Sequence, residues 1–279
     1  MEVFSTTAAA LGVAALFSNC VDCFEYIQLG RQFGQNFERC QIKLDVARTR
    51  LGRWGQAVDI SHDPRFTNGV AGDEVTQQIQ VILEEIMLLF QAVQKSSKRY
   101  ELKATEADRT CFANEHLCPG IRHVHGRLEK IARERQQQTS LFKKARWALY
   151  DGKNLDKLVG EITDFVDALE KLVPPAEAVQ RQLSVMELEG VDDESVLMAL
   201  RDVAVDTDSI LSKAADQKLE TILARNHVEQ IVGDEEANVW VGNQWNSKWI
   251  GGLRERTENT VVSIAARGKS AVHVGNKYG

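Results

Sequence analysis

The segments 226–246, NHVEQIVGDEEANVWVGNQWN, and 259–279, NTVVSIAARGKSAVHVGNKYG, align without a gap at an offset of 33 residues. Identical residues fall at Asn226/Asn259, Val228/Val261, Ile231/Ile264, Val239/Val272, Val241/Val274, Gly242/Gly275 and Asn243/Asn276. Ala237 and Ser270 are both small, and Trp245 and Tyr278 are both aromatic. The polar positions are complementary: Asp234 aligns with Arg267, and Glu236 with Lys269. If the copies stack in register, about 4.8 Å apart, each acid lies over a base and the Asn pairs form amide ladders. The repeated Val and Ile then fill a narrow apolar interior. One copy is a hairpin-sized unit that cannot bury its own core, and two layers remain marginal without further layers from other chains. The pattern predicts a two-layer β-solenoid, stable mainly as a fibre and disordered before assembly. The competing reading is a pair of β-hairpins forming an ordinary small sheet.

Working outward, the tail from residue 226 carries six acidic and six basic residues, so the net charge of −6 belongs to the first 225 residues. That mild acidity argues against a nucleic-acid partner. All ten Phe lie between Phe4 and Phe165, and Val166 to Val239 holds no aromatic residue. Residues 36–58 place Phe37, Cys40, Leu44, Ala47, Leu51 and Trp54 at helical spacing, and residues 74–102 repeat this with Ile79, Ile82, Leu83, Ile86, Leu89, Phe90 and Val93. Further helices are predicted over 119–150, 155–173, 176–188 and 193–224. Strand-like alternation is absent before residue 226, so the fold class is all-α, a helical bundle with a β-forming tail. The basic stretch 121–153, nine Lys/Arg against three acids, reads as a solvated helix face, with an anionic-lipid contact as the alternative.

No Lys or Arg precedes Arg31, so the basic start of a secretory signal is missing. Five Cys in such a chain indicate a reducing, cytoplasmic setting. Cys20 and Cys23, with His116 and Cys118, do not complete a zinc pattern and are expected to be buried free thiols, so no metal or cofactor is predicted. Gly268-Lys269-Ser270 lacks the preceding glycine of a phosphate loop, and His123-Val124-His125 has no HExxH context. No catalytic constellation appears, and the chain does not read as an enzyme.

Several stretches together carry a family resemblance: Ala14-Ala15-Leu16-Phe17, Asn19 to Tyr26, Gln28-Leu29-Gly30-Arg31, Phe37 to Gln41, Arg53-Trp54-Gly55 and Asp63-Pro64-Arg65-Phe66. Ser97 to Leu102, Gln138 to Leu141, Trp147 to Lys153 and both tail repeats extend it over the whole chain. The sequence resembles the fungal heterokaryon-incompatibility prion proteins of the HET-s/HET-S family. The resemblance implies a HeLo helical domain over residues 1–222, and a prion-forming domain over 219–279 that forms a two-layer solenoid amyloid. In the toxic form, templating of the tail disrupts the HeLo domain and releases its N-terminal region, about residues 1–30, into the membrane. The inactive form propagates the prion without killing.

The implied partners are self, as a HeLo dimer and as a fibre, matching prion-forming domains of allelic or homologous proteins, and an upstream NOD-like receptor with a matching amyloid motif. Membrane lipids join on activation, so the implied location is cytoplasm at rest and plasma membrane afterwards. A non-toxic adaptor, whose tail propagates the signal while its HeLo domain only dimerises, remains the alternative. Relatives continue into an aromatic tail whereas this sequence ends at Gly279, so Trp245, Trp249 and Tyr278 are expected to cap the fibre only in part. The connector is shorter, and Glu229 meets Val262 where a charge pair is expected.

Residues 3–29, including Leu11, Leu16 and Phe17, read as a central buried helix at rest and as a conditional membrane segment on activation. A span needs about 20 residues, and Asp22 and Glu25 near its end each cost about 3 kcal/mol if placed centrally. Family forms differ in toxicity near Asp22 and Gln32. Asp22 matches the toxic type, and Gln32 is not the proline of the inactive type, which leaves the backbone less restricted.

Overall fold

A computed structural model describes residues 12–67, 73–106, 109–136, 146–223, 226–241 and 259–275. The chain divides into two compact units, Met1–Ala215 and Asp216–Gly279. The first begins with α1 (Val13–Cys23), a short strand β1 (Ile27–Leu29), α2 (Phe37–Ala57), the single turn α3 (Pro64–Thr67) and α4 (Glu74–Glu101). It continues with α5 (Pro119–Gln136), β2 (Trp147–Leu149), α6 (Gly152–Leu172), α7 (Glu177–Glu187) and α8 (Glu194–Ala204). Helix α9 (Ser209–Leu223) begins in this unit and carries the chain into the second.

Helix starts follow side-chain capping. Asp73 accepts from Thr76 N at 2.7 Å, Asp151 from Lys153 N at 3.0 Å, and Asp193 from Ser195 N at 2.9 Å, each satisfying a backbone donor that the first turn leaves free. The apolar stripes of α2 and α4 are buried as their spacing predicts, with Leu51, Trp54, Ile79, Leu83 and Ile86 all excluded from solvent. Around them close Leu155, Leu158 and Ile162 of α6 and Leu197 and Leu200 of α8. Hydrophobic burial of this kind is the main favourable contribution to the unit's stability.

Three expectations need correction. The unit is not purely helical: β1 and β2 pair in parallel, with Ile27 opposite Trp147 and Leu29 opposite Leu149. Trp147, Ala148 and Leu149 are all buried, so the strand shows no polar–apolar alternation to read. The helix expected over 119–150 ends at Gln136 among the described residues, and 147–149 is strand. The helix expected over 193–224 is two helices, because residues between Ala204 and Ser209 turn to place the buried Asp208 at the start of α9.

The second unit contains β3 (Asn226–Gly233), β4 (Asn238–Val241), β5 (Asn259–Ala266) and β6 (Ala271–Val274). Strand β3 pairs with β5 and β4 with β6, both in parallel. The partners are Asn226–Asn259, Val228–Val261, Ile231–Ile264, Val239–Val272 and Val241–Val274, the offset of 33 found in the sequence. Pairing therefore runs between the repeats and not within either one, which sets aside the hairpin reading.

Candidate functional site

The residues singled out from the sequence fall into two places, the seat of α1 and the stacked repeats. Helix α1 has no solvated face. Val13, Ala14, Leu16, Phe17, Cys20 and Val21 are all buried, as are Ser18, Asn19 and Asp22. Phe17 lies against Trp54, with ring centroids 6.1 Å apart, and over Gly55. A Cβ at Gly55 would stand 2.2 Å from the Phe17 ring, so only glycine admits this approach. Phe24 meets Phe90 edge to face at 5.0 Å. The Cys20 thiol donates to the Leu83 carbonyl, 3.3 Å away.

The polar groups of this segment are held from two neighbouring helices. Gln136, the last residue of α5, donates to Asp22 Oδ1 at 2.7 Å and to the Ser18 carbonyl at 3.3 Å. The second oxygen, Asp22 Oδ2, is buried without a hydrogen-bond partner among the described residues. Just beyond α1, Glu25 accepts from Arg48 at 2.5 Å and from Arg133 at 3.1 Å. Burial pushes the Glu25 carboxyl up, but the hydrogen bonds and charges of Arg48 and Arg133 outweigh it and hold it below the usual carboxylate range. Gln32 stands on an exposed 3-10 turn, Arg31–Asn36. Leu11 lies outside the described residues. Among the described residues no helix is long and apolar enough to cross a membrane.

Of the α5 arginines expected on a solvated face, Arg122 and Arg133 are exposed, Arg127 is half-buried and Arg135 is buried, and all four make structural ties. Arg122 donates to the carbonyls of Asn114, Glu115 and Leu117, and Arg127 to those of Met186 and Glu187. Arg135 is buried against Glu187 at 2.7 Å. Arg53 of α2 reaches the same Glu187 at 3.0 Å and also holds Asp208. Apart from those of Arg122, these partners lie far apart in sequence, so no local signal announces them. Of the cysteines, Cys20 and Cys23 are buried as expected, Cys40 is buried too, Cys111 is half-buried, and Cys118 is exposed against expectation.

In the repeats, stacking continues through the turns between strands. Arg267 N donates to Gly233 O at 2.8 Å, Lys269 N to Glu235 O at 2.6 Å, and Ala271 N to Ala237 O at 2.8 Å. Glu235 and Gly268 occupy equivalent left-handed positions, with φ of 58° and 71°. A Cβ at Gly268 would lie 2.9 Å from the Glu235 carbonyl oxygen, so the upper turn needs its glycine. The matched charges stand on successive turns without closing to ion-pair distance. Among the described residues no salt bridge joins Asp234 to Arg267 or Glu236 to Lys269. All four are exposed, where a pair contributes about 0–1 kcal/mol and solvation competes with it. Asn226 and Asn259 are register partners, while Asn243 and Asn276 lie outside the described residues.

The apolar positions differ between layers. Ile231 and Val241 are 5% and 7% exposed, but their mates Ile264 and Val274 are 51% and 40% exposed. Val228, Val239, Val261 and Val272 are half-buried. On the outer side of the β4–β6 pair, Trp240 stacks flat on His273, with centroids 3.9 Å apart and planes within 14°. No cluster of three or more His, Cys, Asp or Glu able to hold a metal occurs among the described residues.

A helical unit that buries α1, together with a tail of parallel-paired repeats, defines a two-part protein. Residues 5–200 match the HeLo family, described as prion-inhibition and propagation, and residues 218–279 match the family described as Het-s 218-289. The chain belongs to the HeLo family. It is 47% identical over 281 residues to heterokaryon incompatibility protein s of Podospora anserina, covering 100% of this chain and 97% of that protein. Identity to heterokaryon incompatibility protein S of Podospora anserina is 46%, with the same coverage. The helical unit resembles the solved HET-s N-terminal domain with a TM-score of 0.74 and 51% identity, over 77% of this chain and 100% of that one. A mutant of that domain gives a TM-score of 0.72 at 50% identity, over 75% and 99%.

Proposed function

We propose that this chain is a heterokaryon-incompatibility effector in which amyloid templating of the tail repeats releases the HeLo domain's N-terminal segment to disrupt membranes. The observation that carries the reading is the in-register parallel pairing of Asn226–Gly233 with Asn259–Ala266 and of Asn238–Val241 with Ala271–Val274. Parallel pairing of identical positions is a translation. The same step that relates the repeats of one copy can relate one copy to the next, which supports reading the unit as a fibre layer. In this reading the tail is disordered in the free monomer and becomes a solenoid on templating.

The effector side rests on α1. The helix is largely apolar and buried, Gln136 holds its Asp22, and Arg48 and Arg133 hold Glu25 just beyond it, so the segment is silent while the helical unit is intact. Transfer into hydrocarbon requires breaking those contacts, and Asp22 or Glu25 at mid-depth would each cost about 3 kcal/mol. Insertion therefore requires a trigger and an oligomer. At rest the protein is cytoplasmic and its HeLo domain dimerises; on activation it moves to the plasma membrane. Its partners are further copies, homologous tails, a receptor carrying the same amyloid motif, and lipid.

The test is dye release from anionic liposomes by full-length protein, with and without fibril seeds of residues 218–279. Leakage only with seeds supports the effector. Fibre growth without leakage instead favours the non-toxic adaptor, and protection of the tail from hydrogen exchange in the monomer would refute the disordered resting state.

A further inference from the structure

The Trp240–His273 stack is absent from the pattern that defines the repeat, since positions 240 and 273 are not among its identities. Both side chains lie on the outer side of the β4–β6 pair, while Val239 and Val272 alternate to the other side. The indole and imidazole planes lie within 14° of parallel, so a third ring can be added to the stack without reorienting either. The other ring face of His273 looks along the direction in which the next layer would be added. That second layer is also where Ile264 and Val274 remain 51% and 40% exposed. What would cover it in register is the first repeat of another copy, which brings Trp240 to the level next to His273.

Resting on the fibre reading above, we propose that His273 takes the Trp240 of a second copy on its exposed ring face, so that growth builds an alternating indole–imidazole ladder. Each added copy then makes two aromatic stacks, one internal and one with the fibre end. Flat aromatic overlap adds to the backbone ladder, and it depends on side-chain identity in a way that backbone hydrogen bonds do not. The ladder therefore makes templating selective for tails carrying rings at both positions. Among the described residues, β4 and β6 carry no titratable group other than His273. Strand β4 contributes Asn238 and β6 contributes Ala271.

The test uses full-length protein and seeded growth followed by light scattering, comparing wild type with Trp240→Leu, His273→Leu and the exchanged double variant carrying Trp240→His and His273→Trp. Each single variant should raise the critical concentration about tenfold, because both stacks are lost together. The exchanged variant should grow on its own seeds to within about twofold of wild type, and more slowly on wild-type seeds, where like rings meet at the junction. Unchanged critical concentrations in both single variants would overturn the ladder and leave the solenoid standing. Failure of the wild type itself to form fibres would overturn the solenoid reading instead. Equal loss in the single and exchanged variants would show that the positions act through size alone and would also reject the ladder.

Discussion

Arg53 and Asp208 form a forked ion pair inside the helical unit, both guanidinium nitrogens donating to the two carboxylate oxygens, with each side chain at most 3% exposed. Burial would lower the Arg53 pKa, but the charges of Glu187 and Asp208 outweigh it and raise it further, so the arginine remains charged. Asp208 Oδ1 also accepts from Leu211 N at 3.1 Å in the first turn of α9. One carboxylate thus anchors the start of the helix that leads to the repeats.

Replacing Asp208 by Ala should strongly destabilise the helical unit. It leaves Arg53 buried with Glu187 as its remaining carboxylate and removes the hydrogen bond to the start of α9. The expected loss is about 4 kcal/mol, read as a fall in the urea midpoint at unchanged slope. A loss below about 1 kcal/mol would show that water replaces the carboxylate.

His125 gives the unit a stability that declines with rising pH. Its Nδ1 lies 2.9 Å from Asp45 Oδ2, with Gln41 also within reach. Burial lowers the imidazole pKa, but the Asp45 charge and hydrogen bond, aided by Glu129 and opposed by Arg48, outweigh this and hold it above 6.5. A raised folded pKa stabilises fully below the unfolded value and loses that contribution as pH rises through the folded one. Thermal unfolding should show the wild type losing stability between pH 6 and the region above its folded pKa. His125→Gln should remove that component, and an identical pH profile in the variant would disprove the assignment.

Gly55→Ala tests whether α1 is held by fit. The new methyl would stand 2.2 Å from a Phe17 ring that is 1% exposed, so the ring must leave its place at a cost of about 1–3 kcal/mol. Lower thermal stability should come with dye leakage from liposomes in the absence of seeds. Loss of stability without leakage would mean that α1 stays docked when its packing is strained.

The two turns predict opposite outcomes for reciprocal substitutions. Gly268→Ala adds a Cβ against Glu235 and imposes a left-handed backbone on alanine. Glu235→Gly relieves the same conformation in the lower turn. Each change is worth about 1 kcal/mol, so critical concentrations for fibre formation should rise about fivefold and fall about fivefold respectively. Parallel effects in the two variants would exclude backbone conformation as the cause.

The repeat register was readable because a translation copies sequence into space: Val239 opposite Val272 needs only the offset. The stripes of α2 and α4 were readable for a related reason, since Leu51 and Ile79 are buried by periodicities within their own helices. The buried charges were not. Glu187 is fully buried between Arg53 and Arg135, yet nothing in α7 distinguishes it from the exposed Glu177 at the other end of that helix. The strand at Trp147–Leu149 was missed because burial on both faces erases alternation. The break before α9 was missed because Asp208 is placed by a partner 155 residues away. At the repeats the backbone pairs identical positions, while the complementary charges form no salt bridge among the described residues.

Helix α9 ends at Leu223 and β3 starts at Asn226. Three peptide steps can extend at most about 11 Å, so the joint has almost no slack. On the templating proposed above, a repeat pulled further than that while locking onto a growing end would have to draw chain from α9, turn by turn, back towards Asp208. In mechanical terms, the proposed fibre would be a winch and the last helix its short rope, with the Arg53 pair as the cleat.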